Sequence, residues 1–358
     1  MSDTAKKARI GFIGAGWWAT SNHMPVFSSR EDVELAGVCR IGAAELEQVR
    51  DRFGFAFATQ DHRELLDRCD LDGVVVASPH TLHYEHARAA LDRGLHVMCE
   101  KPMTTSAAHA RALVAVAAKK NVHLLVPYGW HYKPFARQAR DLLAAGGVGR
   151  IEFVLCHMAS PIRDMLSGEE ADVDEVSGQS DDSLFQPDLT TWADPVVAAG
   201  GYGYAQIVHS AGLMFWITDL RPERVFSTMS GPGARVELYD ALTVRFDDGV
   251  IGTVSGAGNV PMDRPFQVDI RIFGSEGMLL LDMERARMEL RRHDGAHQVA
   301  EVEPNAGVYE CSGPAHNFAD LVLGKTSVNH APGTAGMRAI EMLDAAYRSA
   351  TSGKEEAV

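Results

Sequence analysis

Paired cysteines are missing from this chain. Its five cysteines, Cys39, Cys69, Cys99, Cys156 and Cys311, are odd in number, widely scattered and without a Cys-x-x-Cys spacing. They offer no disulfide framework, and a reducing cytoplasm suits them. Cys39 and Cys99 close apolar, strand-like runs, where a buried reduced thiol is expected. Positive charge is also in deficit: 34 Lys plus Arg against 48 Asp plus Glu give a net charge of −14. That balance excludes nucleic acid as an expected partner, because phosphates need a basic surface. No apolar run approaches the length of a membrane span. The opening Met1-Ser2-Asp3-Thr4-Ala5-Lys6-Lys7 lacks the apolar core of a signal peptide. With 46% hydrophobic and 23% charged residues over 358 positions, the expectation is an ordinary globular chain long enough for two cored domains.

What is present begins with alternation. Short apolar runs at Ala8–Ile13, Val33–Cys39, Gly73–Val76, His96–Cys99 and His123–Val126 are separated by helical patterns. Those patterns fall at Trp17–Ser29, Ala43–Phe53, His62–Arg68, Leu82–Arg93 and Ser106–Lys120. Continuous apolar strands between helices predict a parallel sheet covered on both faces. After a helix at Pro134–Ala145 the pattern changes at Gly146-Gly147-Val148-Gly149. Period-two runs then dominate, at Ile151–His157, Val225–Met229, Ala241–Phe246, Val250–Gly256, Phe266–Phe273 and Met278–Leu281. Asp247-Asp248-Gly249 is a hairpin turn between two of them. The predicted fold is an α/β N-terminal Rossmann domain over residues 1–130. A C-terminal α+β domain follows over 131–358, built on a large, mostly antiparallel open-faced sheet. Ser160–Ala199, with the acidic run Gly168–Glu175, has no periodicity and reads as a long surface loop. Of two late helices, Pro314–Leu323 and Thr334–Ala350, the C-terminal one is expected to pack back on the first domain.

Four segments carry chemistry. Gly14-Ala15-Gly16-Trp17-Trp18-Ala19 follows the first strand and opens a helix, the geometry that cradles a dinucleotide pyrophosphate. Gly14 permits the tight turn, Gly16 lets the backbone approach the phosphates, and Ala19 lets helix and strand pack closely. Trp17 and Trp18 either flank the ligand or pack in the core. Ser78, Pro79, His80 and His83 lie where the fourth strand ends. The spacing of His80, His83 and His86 invites a metal, but without an accompanying thiolate the segment reads better as a cofactor wall, and no metal site is expected. Glu100-Lys101-Pro102 closes the next strand. A solvated lysine titrates near about 10.4, too high for acid–base work, but burial beside a positive nicotinamide ring would lower it. Gly200–Ile217 is a glycine-rich entry to a helix apolar nearly all round. Gln206 and His209, three apart, share one face of it and need polar partners.

Together these residues resemble the Gfo/Idh/MocA oxidoreductases, the family of glucose–fructose oxidoreductase and inositol dehydrogenase. The resemblance implies a sugar, cyclitol or glycoside substrate, with Lys101 and His209 as catalytic residues. It also implies a homo-oligomer, a dimer or tetramer formed through the C-terminal sheet. Two departures bear on the site. Many members carry an aspartate one turn before the histidine, where this chain has Ala205. Where many members have an arginine–aromatic–x–proline element, this chain has Gly129-Trp130-His131-Tyr132-Lys133-Pro134, which makes His131 and Tyr132 candidate substrate contacts. The Tyr-Ala-Gln-x-x-His variant resembles the glycoside 3-oxidising branch.

The expected activity is therefore hydride transfer between NAD(P) and a ring hydroxyl or ketone of a sugar or glycoside, at C3. Two rivals stand beside it: a glycoside-cleaving enzyme working through transient 3-oxidation, and a non-catalytic dinucleotide-binding regulator. Arg40 ends the second strand where NAD-selective domains present an acid to the ribose 2′-hydroxyl. A guanidinium there favours NADP over NAD, because it can fork onto a 2′-phosphate.

Overall fold

The computed structural model describes residues 6–169, 183–264 and 266–358. The early apolar runs become strands β1 (Ala8–Ile13), β2 (Val33–Cys39), β4 (Gly73–Val76), β5 (His96–Cys99) and β6 (Leu124–Leu125), joined by β3 (Phe57–Thr59). All pair in parallel, in the order β3-β2-β1-β4-β5-β6. Ile10, Phe12, Val38, Val75 and Met98 are inaccessible to solvent, because helices cover both faces of the sheet. β3 escaped the sequence reading because three residues carry no period. The helix expected at Trp17–Ser29 forms with a π-helical turn at Ala19–His23 ahead of Met24–Ser28. Strand order reverses between β1 and β4, which leaves a crevice at their carboxyl ends.

Gly14 shapes that crevice. Its φ is +92°, and a Cβ there would lie 2.4 Å from the backbone of Ala77 and Ser78, just beyond β4. Only glycine lets the two chain ends approach so closely. The next strand end is tied in through a buried carboxylate. Glu100 Oε1 accepts from His23 Nε2 at 2.6 Å and from Trp18 Nε1 at 3.0 Å, and Oε2 accepts from the Lys101 amide at 3.1 Å. Burial alone would raise the Glu100 pKa. The His23 hydrogen bond and the neighbouring His23 and Lys101 charges outweigh it and hold the carboxyl below the usual range.

The second sheet has nine strands in the order β14-β13-β12-β11-β7-β10-β9-β8-β15. They are β7 (Ile151–Ala159), β8 (Pro222–Ser230), β9 (Tyr239–Phe246), β10 (Ile251–Ala257), β11 (Gln267–Gly274), β12 (Gly277–Asp282), β13 (Arg287–Arg292), β14 (His297–Val299) and β15 (Glu356–Ala357). Only β7 and β10 run parallel; the other neighbours are antiparallel. Residues alternate between a helix-covered face and an open one, as period two requires. On the open face Phe226, Ile251 and Phe273 are 44%, 45% and 36% exposed. The covered face receives the helix Val208–Thr218, buried from Val208 to Ile217, and the helix Gly333–Ser352. The latter also reaches the first domain, where Asp344 accepts from the Ala107 amide at 2.7 Å and Glu341 pairs with Arg111 at 2.5 Å. Among the described residues no helix is long and apolar enough to cross a membrane.

Two substitutions test this account. Gly14→Ala forces both a left-handed backbone and a backbone clash, so urea unfolding is expected to show a loss of about 2 kcal/mol or more. For Glu100, a depressed folded pKa means stability that is present above the unfolded value, about 4.3, and lost as pH falls through the folded value. The urea midpoint of wild type should exceed that of Glu100→Gln near about pH 6, and the gap should close toward about pH 3. A gap independent of pH would contradict the ionised network.

Candidate active site

A cavity of about 320 Å³ opens where the carboxyl ends of the first sheet meet the second domain. Four of the chain's five tryptophans, Trp17, Trp18, Trp130 and Trp192, line it, so most of its wall is flat and apolar. Lys101, Gln206 and His209 line it together with Tyr309, Cys311, Arg264 and Glu284.

Lys101 leaves the end of β5 and is only 7% exposed. Its Nζ donates to the Ala205 carbonyl at 3.1 Å and lies 5.1 Å from the Trp192 ring centre and 6.0 Å from that of Trp18. Burial pulls its pKa below the ordinary lysine value, partly offset by Glu100. The acceptor exists because Gly203–Ile207 is a π-helical turn ahead of the helix Val208–Thr218. Such a turn leaves carbonyls outside the regular helical ladder, a frequent arrangement at functional sites. One turn further on, His209 meets the edges of Tyr309 at 5.1 Å and Trp130 at 5.9 Å. Its Nδ1 is buried without a hydrogen-bond partner among the described residues. Burial first, then the charge of Lys101, lowers its pKa well below the usual imidazole range, so the ring is neutral.

The crevice over β1 and β4 fits a dinucleotide. The space where a Gly16 side chain would stand is empty within 4 Å, and first-turn amides at any helix start lack intrahelical acceptors. Ala15 offers its carbonyl to Arg40 Nη1 at 2.8 Å, while Arg40 Nε donates to the Ile41 carbonyl at 3.1 Å. The guanidinium also lies 4.4 Å over the Phe185 ring. Ser78 is half-buried, its hydroxyl 2.8 Å from His86 Nδ1, and Pro79 is exposed at the rim.

The remaining candidates have partners within the fold. The two nitrogens of His83 lie 2.6 Å from the Ser78 carbonyl and 2.7 Å from that of Pro102, so it ties two strand ends together. His80 is buried beneath Trp192, ring centres 5.3 Å apart, with Nδ1 3.4 Å from the Ala198 carbonyl. His131 and Tyr132 do not line the cavity. His131 stacks on Trp216 at 4.5 Å and donates from Nδ1 to the His330 carbonyl at 3.0 Å. Burial drops its pKa to about 3. Tyr132 donates to Asn317 at 2.9 Å. The tight turn Gly129–Tyr132 sends Trp130 inward instead.

The described residues 160–169 and 183–199 are more than a surface loop. Pro161, Ile162, Met165 and Trp192 line the cavity, and Trp17 packs with Met165, Phe185, Leu189 and Trp192. Residues 170–182, which hold most of the acidic run, lie outside the described residues, as do Met1–Ala5 of the opening segment. Trp130, Trp192, Tyr309 and Cys311 escaped the sequence reading, since none sits in a recognisable spacing. Trp130, beside His131 in the Gly129–Pro134 element, was the available signal. Among the described residues no group of three or more His, Cys, Asp or Glu side chains is arranged to hold a metal ion.

Comparison with known proteins agrees with this architecture. Residues 8–128 match a family model described as an oxidoreductase family with an NAD-binding Rossmann fold, and residues 136–280 match the GFO/IDH/MocA C-terminal domain. D-Glucoside 3-dehydrogenase of Escherichia coli is 32% identical over 148 residues, 41% of this chain. That match spans 42% of the relative, less than half its length. Levoglucosan dehydrogenase of Pseudarthrobacter phenanthrenivorans is 26% identical over 333 residues, 87% of this chain and 82% of that protein. A solved levoglucosan dehydrogenase in complex with NADH and levoglucosan superposes with a TM-score of 0.77 at 19% identity, covering 99% of this chain and 100% of that one. On the paired family matches, the fold and the shared motifs, this chain belongs to the Gfo/Idh/MocA family of oxidoreductases.

Proposed function

We propose that the protein is an NAD(P)-dependent dehydrogenase acting on a ring hydroxyl of a sugar or glycoside, with C3 as the reacting carbon. The observation that carries this reading is the convergence of Lys101, His209 and Gln206 on one tryptophan-walled cavity beside the dinucleotide crevice. Tryptophan faces suit the apolar C–H faces of a sugar ring, while the three polar groups can hold its hydroxyls. Similarity to D-glucoside 3-dehydrogenase supports the choice of C3. Bound in the crevice, the nicotinamide would supply the hydride acceptor.

Within this reading the chain's own groups divide the proton work. Lys101, its charged form disfavoured by burial, takes the hydroxyl proton as the C–H hydride departs. The resulting ammonium keeps the Ala205 carbonyl as acceptor. An unpaired buried acceptor is tolerated better than an unpaired N–H, so we place the His209 proton on Nε2 and leave Nδ1 as the bare lone pair. His209 then donates to the same substrate oxygen. Gln206, rather than an aspartate, supplies the neighbouring amide, so no carboxylate one turn earlier is needed to charge the histidine.

Arg40 is read as the cofactor selector. Its Nη2 end has no partner among the described residues, and the guanidinium is already fixed by Ala15, Ile41 and Phe185. Such a pre-set fork favours the 2′-phosphate of NADP. The open sheet face, with Phe226, Ile251 and Phe273 exposed, is read as the surface of a homo-oligomer, since large apolar patches are uncommon on monomers.

Four measurements test these assignments. A sugar or glycoside deuterated at C3 should turn over with a primary isotope effect, and deuterium at any other ring carbon should not; the reverse pattern removes C3. Lys101→Ala should lose about a hundredfold or more in kcat while binding the dinucleotide normally, and near-normal turnover would remove it from the mechanism. Arg40→Asp should shift the kcat/KM ratio toward NAD by about tenfold or more; an unchanged ratio removes Arg40 from cofactor choice. Light scattering of the wild type checks the sheet surface, and a monomeric mass at micromolar concentration would contradict it.

A further inference from the structure

The turn that delivers Ala205, Gln206 and His209 to the cavity is preceded by Gly200-Gly201-Tyr202-Gly203, a glycine cluster that neither the dinucleotide site nor the proton chemistry requires. In the structure this cluster wraps one carboxylate. Both oxygens of Glu237 lie 2.8 Å from the Gly201 amide. Oε1 also accepts from the Gly203 amide at 3.0 Å and from the Tyr347 hydroxyl at 2.5 Å. The Tyr202 amide donates to the Glu237 backbone carbonyl at 2.9 Å. A Cβ at Gly201 would stand 2.2 Å from that carbonyl, and Cβ atoms at Gly200 and Gly203 would stand 2.4 and 2.7 Å from the Tyr347 hydroxyl. These glycines therefore make room for Glu237 and Tyr347.

Burial raises the Glu237 carboxyl above its ordinary value, and the hydrogen bonds from Tyr347, Gly203 and Gly201 pull against that rise. Converging amides at the start of a helical segment, plus a phenol, are charge-assisted donors to a carboxylate, which also faces the favourable end of the helix dipole. Glu237 precedes β9, and Tyr347 belongs to the helix Gly333–Ser352, where its ring also stacks on Tyr204 at 4.6 Å. Elements distant in sequence thus meet at the root of the π-helical turn. Two residues beyond the Gly203 contact, that turn presents the Ala205 carbonyl to Lys101 Nζ.

We propose that Glu237, braced by Tyr347, is a positioning residue that sets the root of the π-helical turn, and through it the Ala205 carbonyl against Lys101 and the bearing of His209. The proposal rests on the reading of Lys101 and His209 given above. Glu237 touches neither substrate nor cofactor in this account. It acts because small displacements of aligned reacting groups are costly, with a shift of about 1 Å enough to lose about a hundredfold.

The test compares wild type with Glu237→Leu, Glu237→Gln and Tyr347→Phe, using protein carrying [13Cε]lysine and assigning the Lys101 signal by its absence in Lys101→Arg. Thermal unfolding reports folding, and fluorescence titration reports dinucleotide affinity. Glu237→Leu is expected to move the Lys101 signal and to lower kcat at least about tenfold, with dinucleotide affinity kept and substrate KM within about threefold. Glu237→Gln, which retains one acceptor oxygen, should recover part of both, and Tyr347→Phe should show the same changes more weakly. An unmoved Lys101 signal in Glu237→Leu overturns the proposal; if that variant does not fold, the same result in Tyr347→Phe does so. Losses of kcat, KM and dinucleotide affinity that scale together with lost thermal stability also overturn it, because Glu237 would then serve the fold at large. A wild type inert on every sugar would instead defeat the dehydrogenase reading, and the Lys101 signal alone would decide this one.

Discussion

A lysine amine buried among tryptophan faces, with a backbone carbonyl as its hydrogen-bond acceptor, sets the terms for the surrounding structure. Moving an ammonium out of water disfavours its charge, so the neutral amine gains population without any change in covalent chemistry. The Glu100 carboxylate next in sequence pulls the other way, but its oxygens are taken up by His23, Trp18 and the Lys101 amide. Glu100 therefore fixes the backbone from which Lys101 departs instead of forming a side-chain ion pair with it. A direct ion pair would have held the amine protonated, unable to accept a proton.

Two separately built structures must meet for this lysine to be useful. The parallel sheet brings Lys101 to a strand end beside the crevice, where Gly14 allows β1 and β4 to converge. The second domain brings a wholly buried helix whose irregular first turn offers Ala205 to the amine and His209 to the cavity. Residues 183–198 then close the roof. Phe185 lies under the Arg40 guanidinium, and Trp192 covers both Lys101 and His80. That one segment touches both ends of the dinucleotide crevice, so cofactor and substrate environments are physically connected through it.

The fold was legible in the sequence wherever local pattern and tertiary environment agree. Continuous apolar runs marked strands buried on both faces, and alternation marked the half-open sheet. β3, β14 and β15 were not legible, because two or three residues cannot display a period and owe their pairing to neighbours; β13 was missed too, four of its six residues being charged. Motif and strand end were enough to place Gly14 at the turn after β1 and Lys101 and His209 at one cavity, where the structure has them. The intramolecular partners of His131, His83 and His80 were not legible. There a polar ring beside a motif suggested ligand contact, but backbone carbonyls supply the partners that burial demands. The role of Glu237 was invisible, since the glycines it binds lie 36 and 34 residues away in sequence.

The central claim, that burial prepares Lys101 to accept a proton, is tested most directly by titrating its [13Cε] resonance by NMR in the wild-type protein. The account predicts a midpoint displaced from the ordinary lysine value of about 10.4 toward neutrality. A midpoint at or above that value would contradict it.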